Sequence, residues 1–161
     1  MDSYVELHCH SNYSFQEGAS FPDELLERAR HLGYSALALT DHDNLTIALE
    51  FADRAHHHGI KPIVGAEVTL LDGHHLTLLA ESQHGYKNLS TLLSYAHIRS
   101  ERRDPRMDPE ALIERNEGLI VLSGCSKGQI PSLLAAGKFD EAQQVASRYL
   151  DVFGETSSFF L

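Results

Sequence analysis

Two unbroken apolar tetrapeptides, Ala36–Leu39 and Leu119–Leu122, lie far apart in the chain, and each runs straight into a polar tail. The first delivers Thr40-Asp41-His42-Asp43, the second Ser123-Gly124-Cys125. Short continuous apolar runs of this kind predict strands buried on both faces. Around them the spacing turns helical. Leu25, Leu26, Ala29 and Leu32 form one stripe ended by Gly33, with Ser20 expected as the cap and Pro22 and Asp23 in the first turn. A second helix is expected over residues 45–58, a third over 85–98, a short one from Asp108-Pro109, another over 131–136, and a long one over 139–153. Further strands are expected over residues 4–7, 62–70 and 76–80, with Asp72-Gly73 as the hairpin turn. Phe159-Phe160-Leu161 reads as the opening of one more. Strand and helix therefore alternate, which implies an α/β fold with a mainly parallel sheet or a barrel.

That architecture gives the polar residues their geometry, because function in such folds gathers at the carboxyl ends of the strands. His8 and His10 follow the first strand and share a face. Asp41 and His42 follow the second, and Cys125 follows the strand at Leu119–Leu122. Glu67 sits inside an apolar strand, where a carboxylate is costly without a cation. His75 opens the strand after the hairpin, with His74 left at the turn. Each residue has a plain alternative: a structural histidine, an acid capping the next helix, a core thiol. Together, imidazole, carboxylate and thiolate on one rim suit zinc or a similar transition metal. Carboxylates able to bridge ions point to more than one metal, and a polynuclear site with open positions suits phosphoester hydrolysis. No Gly-x-Ser-x-Gly, phosphate-binding loop or dinucleotide fingerprint competes with this reading.

Charge agrees with it. The net charge is −10, and it is uneven: residues 1–80 carry 4 Lys/Arg against 12 Asp/Glu and hold 9 of the 11 histidines. Acid and imidazole with little base leave room for cations, although an acidic, solvated surface would look the same. The charge also argues against a strong grip on a DNA backbone by this chain alone. Four arginines at 99–106 read as a solvated loop or a nucleic-acid contact, and His56-His57-His58 as a solvated helix end. Two cysteines are too few for a disulfide framework, no run reaches membrane-spanning length, and Met1-Asp2-Ser3 lacks the basic start of a secretory signal. A cytoplasmic location is the expectation.

His8-Cys9-His10-Ser11, Leu39-Thr40-Asp41-His42, Gly65-Ala66-Glu67, the run from His75 to Ala80, and Leu122-Ser123-Gly124-Cys125 together resemble the PHP (polymerase and histidinol phosphatase) domain. More narrowly, residues 1–161 resemble the amino-terminal PHP domain of bacterial C-family DNA polymerase III alpha subunits, of the error-prone branch. The resemblance implies a distorted (β/α)7 barrel binding up to three divalent metals at the strand ends. Zinc is the expected metal, with manganese, magnesium and iron as alternatives. It implies His8, His10, Glu17, His42, Glu67, His75 and Cys125 as ligands, Glu67 as a bridge, and Asp41 orienting His42. Asp41 and Glu67 are then the candidate catalytic residues. Glu17 stands where the family usually has aspartate, and the family's closing Asp-x-His has no match, so the barrel is expected to be incomplete and to continue past residue 161. The implied function is 3′–5′ exonuclease-type phosphoesterase chemistry in replication or translesion repair. The implied partners are DNA, met through the full-length polymerase, and the other polymerase domains; no membrane is involved. An inactive structural domain and a histidinol-phosphatase-like phosphomonoesterase are the alternatives.

Overall fold

The computed structural model describes residues 4–154 and 158–161. Met1, Asp2 and Ser3, read above for a targeting signal, lie outside the described residues. Helix α1 (Pro22–His31) precedes β1 (Ala36–Leu39), α2 (Ala48–His57), β2 (Lys61–Thr69) and β3 (His75–Ala80). Then come α3 (Gln83–Arg99), α4 (Pro109–Glu114), β4 (Leu119–Leu122), α5 (Gln129–Ala135), α6 (Phe139–Phe153) and β5 (Phe159–Phe160). The strands form one sheet in sequence order, open between β1 and β5. β1 and β2 are parallel, as are β4 and β5, while β3 runs antiparallel to both neighbours. The sheet is therefore mixed, and the reversed strand comes from the hairpin at Asp72-Gly73.

Alternation along the strands sorts residues onto two faces. Ala66, Val68, Leu76, Leu78, Leu119 and Val121 are buried in the larger core cluster with side chains of α3, α4 and α6. A smaller cluster sets Leu37 and Leu39 of β1 against Leu26, Ala29 and Phe51. The other face carries Glu67 opposite Thr77 and Thr69 opposite His75. The expected first strand is reduced to one parallel bridge, Glu6 with Leu37, backed by Ala38 N–H donating to the Glu6 carbonyl at 2.9 Å.

Helix starts differ from expectation where a local polar contact takes over. α1 begins at Pro22 with Phe21, not Ser20, as its cap, because the Glu24 side chain accepts from Phe21 N–H at 2.8 Å. α2 begins at Ala48 rather than Leu45, because Asn44 accepts from Thr46 N–H at 3.0 Å and holds the chain in a turn. α3 starts earlier, at Gln83, where the Ser82 hydroxyl accepts from Gly85 N–H. A methyl at Gly85 would stand 1.8 Å from the Gly118 carbonyl oxygen. Gly85→Ala therefore forces α3 off the start of β4; it is expected to cost about 3 kcal/mol and lower Tm by roughly 9 °C, read by circular dichroism on heating.

Candidate metal centre

Glu67 is the pivot. It lies on the helix-free face of β2 at the rim and is 2% exposed. His8 Nε2 is 2.8 Å and His10 Nε2 2.7 Å from its Oε2. His75 Nδ1 is 2.5 Å and the Cys125 thiol 3.5 Å from its Oε1. The segment beside β1 alternates as a strand should, so His8 and His10 both face Glu67 while Cys9 packs into the smaller core cluster. Burial pushes the Cys9 thiol up to about 11, so it behaves as a core thiol. His75 reaches the rim because β3 is reversed: its first residue pairs with Thr69 at the carboxyl end of β2. His74 stays in the turn, 3.1 Å from Asp72.

His42 follows β1 and is bridged to Glu67 through the backbone, Asp43 N–H donating to the Glu67 carbonyl at 2.7 Å. Its Nδ1 is 2.6 Å from Glu17 Oε2, and its Nε2 is 2.8 Å from Thr69 Oγ1 and 3.1 Å from Asp43 Oδ2. Glu17 also accepts from Lys127 Nζ at 2.8 Å. The Asp43 carboxylate beside His42, with Glu17 adding to it, raises the imidazole to about 9 despite burial. Lys127 above all holds Glu17 below its ordinary value. Burial alone would raise the Glu67 carboxyl, but His10, His8 and His75 together outweigh it and hold the group well below the usual carboxylate range. The charge on Glu67 is thus secured by its neighbours.

Asp41 is placed differently from the expectation. Its carboxylate accepts from Ser11 N–H, Ser11 Oγ and Ser14 Oγ, each at 2.7 Å, and it is 2% exposed. Ser14 Oγ in turn accepts from His42 N–H at 2.9 Å. Asp41 therefore fixes the loop that carries Glu17, and Asp43 is the carboxylate against the His42 ring. Asp43 has φ +53°, which breaks the alternation and turns its side chain onto Thr69, whose N–H and hydroxyl both donate to it. Thr69, Lys127 and His97, which donates to the Asp43 carbonyl at 2.7 Å, lie outside the residues singled out from sequence. Thr69 was within reach, two residues from Glu67 on the same face; Lys127 and His97 meet the site only through tertiary folding.

Among the described residues, two sets of donor atoms lie close enough to hold an ion: His8, His10 and Glu67, and His42, Glu67 and His75. They share Glu67. Cys125 and Glu17 flank these sets without joining them. The donor chemistry fits a transition metal: imidazole nitrogens around one carboxylate, with the buried His10 Nε2 held 2.7 Å from Glu67 outside good hydrogen-bond geometry. Among the described residues no helix is long and apolar enough to cross a membrane.

The PHP domain family model matches residues 6–160. An error-prone DNA polymerase of Symbiobacterium thermophilum is 45% identical over 163 residues, covering 91% of this chain and 15% of that protein. A DNA polymerase III subunit alpha of Treponema pallidum is 41% identical over 171 residues, covering 98% of this chain and 15% of that protein. The chain thus spans about 15% of the length of these relatives. Among solved structures, an amidohydrolase from Chromobacterium violaceum matches at 32% identity over 58% of this chain and 33% of its own, with a TM-score of 0.49.

Proposed function

The chain belongs to the PHP domain family, and we propose that it is the amino-terminal, metal-dependent phosphoesterase module of a C-family DNA polymerase III alpha subunit of the error-prone type. Its chemistry is 3′–5′ exonuclease-type cleavage of DNA, and its partners are DNA and the other polymerase domains. The observation that supports this most is a buried Glu67 carboxylate common to two imidazole sets, metal-ligating chemistry placed inside an otherwise apolar strand. The unclosed sheet supports a further part of the reading, that the barrel continues past residue 161.

His8, His10, Glu67, His42 and His75 would hold divalent ions, zinc first with manganese, magnesium and iron as alternatives, and Cys125 and Glu17 would complete their surroundings up to a third ion. Bound ions supply Lewis acidity toward a phosphodiester. The chain's own residues do the positioning. Thr69 and Asp43 fix the His42 ring, so that its nitrogens keep one orientation. Lys127 places a cation at the mouth, beside Glu17, where phosphate charge arrives. At neutral pH the raised His42 carries a proton that must leave when an ion binds, so affinity falls as pH drops.

A second reading, a structural domain that steadies the polymerase, is favoured by the Glu17–Lys127 ion pair, which occupies a would-be ligand with a lysine. Loading the intact domain, extended past residue 161 through the rest of the barrel, with zinc or manganese separates the two. The first reading expects a raised Tm and shortening of a single-stranded oligonucleotide from its 3′ end, both lost in His10→Ala. No thermal shift, with wild type and His10→Ala equally inert, would leave the structural reading standing.

A further inference from the structure

Over His42 and His75 lies a cleft of about 1,030 Å³, and Phe15 and Arg103 are among the lining residues with no part in holding a metal. Phe15 is 89% exposed, the most exposed large apolar side chain among the described residues. Arg103 is exposed and makes no ion pair among the described residues. Both line the same cleft as His42, His75 and Lys127. The cleft also gathers backbone strain. Gln16, Asp43 and Arg103 have φ of +70°, +53° and +71°, they are the non-glycine residues with positive φ among those described, and all three line it. Strain of this kind persists where the surroundings hold a side chain in a chosen direction.

The support beneath Phe15 is rigid. Glu17 N–H and Gly18 N–H both donate to the Ser14 carbonyl, closing the turn that carries it. Ser14 is tied to buried Asp41. A methyl on Gly18 would stand 1.9 Å from the Ser11 carbonyl oxygen, so the two arms of the loop are in contact. A phenyl ring presented to water from an anchored turn gains nothing by itself. In the same cleft as an arginine without an ion pair and the His42 and His75 rim, its flat face suits a nucleobase.

We propose that Phe15 and Arg103 form a strand-entry clamp, Phe15 stacking on an unpaired base and Arg103 holding a neighbouring phosphate. The clamp rests on the phosphodiesterase reading above and gives it a specificity: an unpaired nucleotide strand in preference to a small phosphomonoester. Stacking tolerates every base, so the clamp is sequence-neutral. With the overall charge at −10, the arginine confines attraction for phosphate to the cleft.

The test uses the 161-residue chain kept metal-free with EDTA, so that cleavage does not intervene. The probe is an oligothymidylate carrying 2-aminopurine near its 3′ end. Wild type is expected to bind it and quench the 2-aminopurine, which reports stacking. Phe15→Ala is expected to weaken binding roughly ten-fold and abolish the quench, and Phe15→Trp to keep both. Arg103→Gln is expected to weaken binding several-fold and flatten the salt dependence by about 0.7 in log–log slope. Phe139→Ala, at an exposed phenyl on α6 (66% exposed), is expected to change neither readout. Unchanged melting of Phe15→Ala keeps folding out of the comparison. The clamp is overturned if Phe15→Ala binds within about two-fold of wild type, or if the quench survives it. It is equally overturned if wild type ignores the oligonucleotide while a separate, EDTA-free sample takes up zinc, as it would if a protein partner covers Phe15; the metal site then stands. Failure to take up zinc as well would overturn the phosphoesterase reading too.

Discussion

Glu67→Gln empties both donor sets at once. The amide keeps the shape of the side chain, so the substitution removes charge and one acceptor without opening a cavity. Because Glu67 belongs to both sets, the neutral variant leaves His8 and His10 on one side, and His42 and His75 on the other, without their common carboxylate. An amide nitrogen also has to face either the His75 side or the His8 and His10 side, where only acceptors are wanted. Loss of a residue that merely orients a ligand costs about 10–100-fold in metal affinity or activity, so loss of the shared ligand is expected to exceed about a hundred-fold in both. His8→Ala should be milder, weakening one set and sparing the other. Metal per chain by elemental analysis, with initial rates on a 3′-labelled strand, checks the pair. Equal effects of the two variants would contradict a shared carboxylate.

Asp41→Ala is expected to cause the largest loss of stability, for a reason unrelated to bond cleavage. The carboxylate is buried and accepts three hydrogen bonds, two of them from hydroxyls. Its removal leaves Ser11 N–H and two hydroxyls without their acceptor in a site closed to water. About 4 kcal/mol is the expected cost, roughly 12 °C in Tm. Asp41→Asn, which keeps an acceptor, should lose less. The loop it anchors carries Glu17, so metal affinity at His42 should fall as well. A positioning role also predicts that Asp41→Asn keeps the shape of the wild-type pH–rate profile, whereas a proton-transferring Asp41 would lose one limb of it.

These two carboxylates mark where sequence was and was not sufficient. Glu67 was legible because an acid in an apolar strand is an anomaly of pattern, and pattern survives folding. Strand β1, buried along its whole length, and the hairpin at Asp72-Gly73 were legible for the same reason; β4 was legible as a strand, but Ile120 and Leu122 are only half-buried where burial on both faces was expected. His75 could be assigned to the inward face by period two, and the reversal of β3 then carried it to the rim. Asp41 and Asp43 could not be told apart by spacing. They flank His42, and a backbone turn at Asp43 with φ +53° exchanges the roles that alternation would give them. Lys127 was out of reach for another reason: it meets Glu17 across 110 residues, and nothing local to either announces the pair. The starts of α1, α2 and α3 slipped by one to three residues where a side chain such as Glu24 or Asn44 bonded the backbone, and α5 began two residues early without such a bond. Phe15 was visible only as an apolar residue in a polar loop, with no indication that it stays in water.

As proposed, Glu67 joins two ion sites into one centre. Anomalous diffraction at the zinc edge, on crystals of the chain grown with zinc, tests it most directly. Two peaks are expected on either side of the Glu67 carboxylate, one beside His8 and His10, the other beside His42 and His75, with both lost in Glu67→Gln. Zinc bound away from these residues, or both peaks persisting in Glu67→Gln, would contradict it.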